Sequence, residues 1–355
     1  CIRDRLYQAL LAPVQSSLQG KKVMLAVPHA ELGQLPLSLL VTQSSNIAIK
    51  AKGSDFSEYR QVAWLAKDIA IAQLPSVTAL NSLRNLPPAK AERRQFIGFG
   101  DPYFSVVQAK QADNQLARAS GKTVAMRGVP LNLRSAPKTT GVSSAELALL
   151  PRLPDTKEEI EQIGKALSAD PEKDIFLERS ANVTKVLETD LSNRKVVMFA
   201  THGLVPGELD GLTQPALALS APDVTGETQG DGLLTMEKIL TLKMDADWGV
   251  LSACNTASGE GAGSEAVSGL GRAFFYAGAR ALLVSNWPVD SEASRMLMTD
   301  LFKRQQMAQG QHKALYLRDA MLDMLREAGS KDPSGKLKYT YAHPLFWAPF
   351  VVVGD

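Results

Sequence analysis

The sequence predicts an α/β chain organised around a mostly parallel sheet flanked by helices. Two observations carry that expectation. First, two short apolar runs, KVVMFA at 195–200 and WGVL at 248–251, each end on a small polar loop, Thr201-His202-Gly203 and Ser252-Ala253-Cys254. Apolar runs of this length bounded by turn residues read as strands buried on both faces. Second, the later run opens a strand–loop–helix–strand series. A Gly-rich loop at 259–263 is followed by a small-residue helical pattern at 266–277, Gly278, and an apolar run at 281–285. Strands that alternate with helices pair in parallel through right-handed crossovers. Functional loops in such sheets gather at the carboxyl ends of the strands. His202 and Cys254 both fall at such ends.

Leu6, Leu10, Val14 and Leu18 recur at helical spacing over 5–18, and Gly20 stops that helix. A strand follows at 23–27. Residues 62–71 are apolar and fit a helix or a strand equally well. A short helix is expected at 76–86, and LPPAK at 86–90, with charges after it, is a linker signal. A new strand occupies 96–99, ahead of Gly100-Asp101-Pro102. Residues 103–150 read as a long polar insertion of weak periodicity, an elaborated loop. LPDTKEEIEQIGKAL at 153–167 is a helix capped by Asp155 or Thr156, with acids in its first turn. A short strand at 175–177 and a helix from Asn182 to 191 precede the His strand. A hairpin-like PALALS segment and a helix at 235–242 lead to the Cys strand. Helices at 291–307 and 313–328 come next, and a strand at 350–353 closes the sheet. VMLAVPHA at 23–30 faintly echoes VVMFATHG, without a Cys counterpart. The organisation that results is an N-terminal region, 1–94, and a main domain, 95–355, carrying the 103–150 insertion.

Composition narrows the function classes. At 355 residues, 45% hydrophobic and 21% charged, the chain has ample core for two domains or one large one. The net charge of +2 comes with scattered Lys and Arg, so no basic stripe argues for nucleic acid. No apolar run approaches the roughly 20 residues of a membrane span. Two Cys and four His argue against a structural disulfide and against zinc, and no cofactor is expected. The GEGAGSEA loop lacks both the Walker pattern and a G-x-G-x-x-G before a helix. Low cysteine use fits a reducing, cytoplasmic setting. Cys1 reads as the start of an excised fragment, with a lipidated first Cys as the alternative.

A Cys nucleophile needs a neighbouring base to supply its thiolate. His202 can take the thiol proton and later protonate a leaving amine. The developing oxyanion needs backbone N–H donors, and Gly203 and Cys254 are placed to supply them. Taken singly, Cys254 reads as a small buried hydrophobe and His202 as a hydrogen-bonded strand-end residue. His202 precedes Cys254 by 52 residues, close to the caspase spacing, and the caspase Q-A-C-[RQG]-G signature is matched only in its Ala-Cys.

ATHG, PALALS at 215–220, DGLLT at 231–235, LSACNT, AGAR, SNWPV and HPLFWAPFVVVGD, in that order, resemble the CHAT domain. That family is a bacterial branch of the caspase-like cysteine peptidases related to separase. The resemblance runs from about Val23 to Asp355. It implies a caspase-like, mostly parallel six-stranded sheet, with 1–94 as an inactive caspase-like half. It further implies a cysteine endopeptidase that acts on protein or peptide substrates through a His202/Cys254 dyad. An upstream region, often of tetratricopeptide repeats in this family, would regulate it. Ser285-Asn286-Trp287 resembles the caspase segment whose strand edge pairs with substrate. Caspases place a basic residue after that Trp; here Pro288 follows, which argues against a preference for Asp at the cut. Asp210, Asp231 and Asp290 lie in loops near the predicted site and are candidates to hold a basic substrate residue, or else to cap and solvate their loops; Asp290 and Asp231, in loops that flank the strands framing Cys254, are the favoured contacts. The rival reading is a non-catalytic interaction module of the same fold in a signalling assembly.

Overall fold

The computed structural model describes residues 2–44, 55–116, 144–227, 230–252, 269–287, 289–308, 310–332 and 334–355. Its main sheet is built from β1 (Val23–Ala26), β2 (Ala70–Gln73), β3 (Arg94–Gly100), β4 (Ile175–Leu177) and β5 (Arg194–Ala200). A small antiparallel sheet of β6 (Gly203–Leu204), β7 (Ala216–Ala218) and β8 (Leu233–Thr235) follows β5. The main sheet resumes with β9 (Trp248–Leu251) and β10 (Ala281–Ser285). A hairpin of β11 (Gly329–Lys331) and β12 (Leu337–Thr340) precedes β13 (Phe350–Gly354).

The main sheet has eight strands in the order β1-β2-β13-β10-β9-β5-β3-β4, two more than the six expected. Strands β10, β9, β5, β3 and β4 run parallel to one another. β13 runs antiparallel to β10 but parallel to β2, which is parallel to β1. So β13 does not close the sheet, as its position late in the chain suggests, but lies inside it. All five of its residues are buried. β2, from the N-terminal region, supplies its second partner, and β1 pairs with the far edge of β2.

Side chains alternate strictly between two cores, as the period of two requires. Phe96, Val196, Met198, Ala200, Trp248, Val250, Leu283, Phe350 and Val352 face one helical layer, Asp155–Ala166, Ser291–Met307 and Lys313–Arg326. Ile97, Phe99, Val197, Phe199, Leu251, Leu282, Val284, Val351 and Val353 face the other, which includes Val183–Glu188, Met236–Leu240 and Gly269–Ala277. The Asp155–Ala166 helix sits unusually close to β3. A Cβ added at Gly98 or Gly100 would lie 2.8 or 2.4 Å from the Ile160 side chain, so glycine is what admits the helix there.

Several boundaries differ from the sequence reading for identifiable reasons. The 5–18 helix is three short pieces, Ile2–Leu10, Ala12–Val14 and Gln15–Leu18, with Pro13 in the middle piece. The ambiguous 62–71 stretch is a 3₁₀ turn, Leu65–Lys67, followed by β2. The 103–150 insertion carries a helix, Val106–Leu116, and a short one, Ser144–Leu147; residues 117–143 lie outside the described residues. Neither Asp155 nor Thr156 caps the Asp155–Ala166 helix. Pro154 is its N-cap, without a side-chain cap bond. The Thr156 hydroxyl donates instead to Leu153 O (2.8 Å) and accepts from Asp101 N (2.7 Å). His29, the echo of the strand-end His, is exposed and makes no cap bond. The N-terminal region has a small core of its own around Tyr7, Leu40 and Leu65. Arg318, on the Lys313–Arg326 helix, donates to Ala66 O and Lys67 O of this region at 2.9 and 2.7 Å.

Candidate active site

β5 delivers Thr201 and His202 beyond its carboxyl end, and the small sheet grips them there. Ala218 N donates to His202 O at 2.9 Å, and the Thr201 hydroxyl donates to Ala218 O. The PALALS and DGLLT segments are therefore the scaffold of the His turn: β7 pairs with β6 on one side and β8 on the other. Gly203 opens β6 opposite Leu217.

His202 is buried, only 5% exposed. Its Nε2 lies 2.8 Å from Pro151 O. A carbonyl oxygen only accepts, so Nε2 carries a proton and donates it. In the neutral ring this leaves Nδ1 as the basic nitrogen. The Phe104 ring packs against the imidazole with centroids 5.4 Å apart.

β9 lies directly beside β5, with Phe199 opposite Leu251 in register. Ser252 N continues the ladder by donating to Phe199 O at 2.9 Å. His202 is three residues past Phe199, and Cys254 is three residues past Leu251. Cys254, with Asn255 and the Gly-rich loop, lies outside the described residues.

The three candidate carboxylates differ in their commitments. Asp231 accepts from Lys238 Nζ at 2.6 Å and from Leu233 N at 3.0 Å. Asp290 is the N-cap of the Ser291–Met307 helix and accepts from Ala293 N at 2.9 Å. Both thus have structural employment. Asp210 has a buried Oδ2 with no hydrogen-bond partner among the described residues, and so does Glu146 at Oε2. Burial, and then the nearby Asp210 charge, push the Glu146 carboxyl above its ordinary range.

In the SNW segment, Ser285 pairs with Phe350 and is buried. Asn286 donates from both its main-chain N (2.8 Å) and its Nδ2 (3.2 Å) to Pro349 O. Trp287 rests partly buried against the main core, its indole N–H 3.4 Å from Leu345 O. Pro288 lies outside the described residues. Among the described residues no group of three His, Cys, Asp or Glu side chains could hold a metal ion, and no helix is long and apolar enough to cross a membrane.

Sequence reasoning gave no role to five residues here. Pro151 acts through its main-chain carbonyl, which no residue type announces. Asp101, fully buried with φ +47° after β3, is gripped by Arg152 at 2.9 and 2.6 Å. Arg152 also lies over the Tyr103 ring, 4.8 Å from its centroid. Burial above all, against the opposing pull of Arg152, raises the Asp101 carboxyl to about 6. Glu159 and Ser252, both fully buried, meet with the hydroxyl donating to Oε1 at 2.9 Å. The spacing of Thr156, Glu159–Ile160 and Ile163 could have shown that Glu159, unlike Glu158 and Glu161, falls on the apolar face.

Comparison with known proteins finds no match among curated sequences. Two crystal structures of the Saccharomyces cerevisiae separase–securin complex are similar to the chain at 11% and 13% identity, with TM-scores of 0.41 and 0.42. They cover 81% and 84% of this chain, which spans 14% and 15% of theirs. The Arg-specific cysteine proteinase gingipain R is similar at 10% identity and a TM-score of 0.47, over 98% of this chain and 67% of its own. The CHAT domain model matches residues 3–355, and the chain belongs to the CHAT domain family.

Proposed function

We propose that this chain is a cysteine endopeptidase that cleaves protein or peptide substrates through His202 and Cys254. The observation that carries the reading is the strand-end pair. β5 and β9 are in register, and they lead to a His and a Cys three residues beyond a shared rung. The His ring has its Nε2–H committed to Pro151 O, which makes Nδ1 the basic nitrogen of the neutral ring.

In the proposed reaction Nδ1 accepts the Cys254 thiol proton as the sulfur attacks the scissile carbonyl carbon. The N–H groups of Gly203 and Cys254 stabilise the oxyanion. The protonated imidazole then gives its proton to the amine as the C–N bond breaks, leaving a thioester. Water, deprotonated by the same His, hydrolyses it and returns the thiol. The Pro151 carbonyl takes the orienting place of a third residue, which removes the need for an Asp. Asp210, with its uncommitted oxygen, is the carboxylate best suited to a substrate Arg or Lys, and a region upstream would regulate the enzyme. Ser285-Asn286-Trp287 would line the other side of the cleft.

The test is active-site labelling with an electrophilic peptide, read by mass spectrometry, beside cleavage assays of Cys254→Ala and His202→Ala. Modification of Cys254 and loss of cleavage in both variants are expected. Cleavage retained by either variant sinks the dyad. A chain that binds partners but neither cleaves nor labels is the interaction module instead.

A further inference from the structure

One short stretch of chain, from Pro151 to Glu159, reaches residues just beyond the carboxyl ends of three neighbouring strands. The Pro151 carbonyl takes the His202 ring after β5. Arg152 and Thr156 hold Asp101 after β3. The Glu159 carboxylate accepts the Ser252 hydroxyl after β9. Glu159 shares its helix face with Ile160 and Ile163, which are fully buried, as Glu159 itself is. A buried carboxylate is costly even when hydrogen-bonded, and an apolar side chain of similar volume would fill the same place without that cost. The close seating on Gly98 and Gly100 brings this helix near enough for Glu159 to meet Ser252.

We propose that Glu159 is a positioning residue. It fixes the carboxyl end of β9, two residues ahead of Cys254, to the same rigid turn that holds His202. The proposal rests on the cysteine-peptidase reading. One short ruler, rather than two independent loops, then sets how the nucleophile and its base meet. A misplacement of about 1 Å at such a pair costs on the order of a hundredfold in rate.

The experiment uses the whole chain in a Cys1→Ser background, so that Cys254 is the sole thiol. It measures kcat and KM on a cleaved peptide, the Tm, and the rate of Cys254 alkylation by iodoacetamide against pH. In Glu159→Leu and Ser252→Ala, kcat should fall about tenfold to a hundredfold. KM should stay within about twofold and the Tm within a few degrees. Alkylation near neutral pH should slow as His202 loses its hold on the thiolate. Glu159→Gln keeps an acceptor at Oε1 and should remain within about threefold of the parent. If Glu159→Leu does not fold, Ser252→Ala, which removes one oxygen, carries the test. Full activity in the Leu and Ala variants overturns the proposal. So does a loss that tracks the folded fraction alone, or a Gln variant as impaired as the Leu variant. Alkylation needs no turnover, so it separates the two readings. If the parent cleaves nothing but Glu159→Leu still slows alkylation, the peptidase reading falls and positioning stands. Unchanged alkylation overturns positioning whatever the cleavage result.

Discussion

Asp101→Asn should make the protein less sensitive to pH in a direction the structure dictates. Asp101 is fully buried, and burial outweighs Arg152 in raising its carboxyl from 3.8 to about 6. A carboxyl raised in this way holds its proton more tightly in the folded than in the unfolded chain. The folded state is therefore favoured at low pH, where both states are protonated. That advantage is lost as pH climbs from near 3.8 through about 6. A shift of this size corresponds to about 3 kcal/mol. At the usual unfolding entropy per residue, a chain of this length converts that to a Tm change of about 4 °C. Asparagine tolerates the left-handed φ of +47°, so the backbone need not move. The assay is thermal unfolding of parent and variant at matched pH values on both sides of that window. The other carboxylates are common to both proteins and cancel in the difference. The Tm of the variant minus that of the parent should rise by a few degrees between about pH 4 and 7. A difference that is flat or that falls with pH would refute the reasoning, because it would mean that Arg152 rather than burial governs this carboxyl.

The proposed peptidase activity, read in a positional-scanning peptide library, should prefer Arg or Lys before the cut by roughly tenfold to a hundredfold, from a charge-assisted hydrogen bond of about 1.5–3 kcal/mol to Asp210. Asp210→Ala should erase that preference. Asp231→Ala and Asp290→Ala should leave it, since both carboxylates are already engaged; Asp290→Ala should instead lower stability by about 1 kcal/mol as a lost cap. A dominant preference for Asp would defeat the pocket assignment. Gly100→Ala should destabilise by about 1–3 kcal/mol through overpacking, because its Cβ meets Ile160 Cδ1 at 2.4 Å. Ile160→Val, which removes that methyl, should recover much of the loss in the double variant, and strictly additive urea midpoints would contradict the contact. Cleavage should survive EDTA and the Cys1→Ser change; activity lost to the chelator and restored by zinc would overturn the metal-free mechanism.

What could be read from the residues was whatever the side chains themselves encode. Trp248–Leu251 and Ala281–Ser285 are strands over the bounds that their apolar runs mark, because a buried parallel strand must be apolar on both faces. The same logic places Asn182 as an N-cap, accepting from Lys185 N. Strand order is a different kind of fact. Phe350–Gly354 is as apolar as β9, and nothing in its composition says whether it is an edge or a centre. Only the presence of β2 beside it decides that, and that strand lies far away in the chain. Asp210, Asp231 and Asp290 show the same limit at the level of single side chains. All three are loop acids by sequence, but a lysine seven residues downstream claims Asp231, and the N–H of Ala293 in the helix that starts right after it claims Asp290. The group least visible in the sequence is the one on which the His depends most directly. A main-chain carbonyl at Pro151 accepts the Nε2–H of His202, and every residue type carries a carbonyl. What makes this one special is its place at the head of a helix that is seated on two glycines, holds Asp101 through Thr156, and reaches β9 through Glu159. The carbonyl that accepts from the His is thus a property of a packed element rather than of a residue type, so the identity of residue 151 does not announce it.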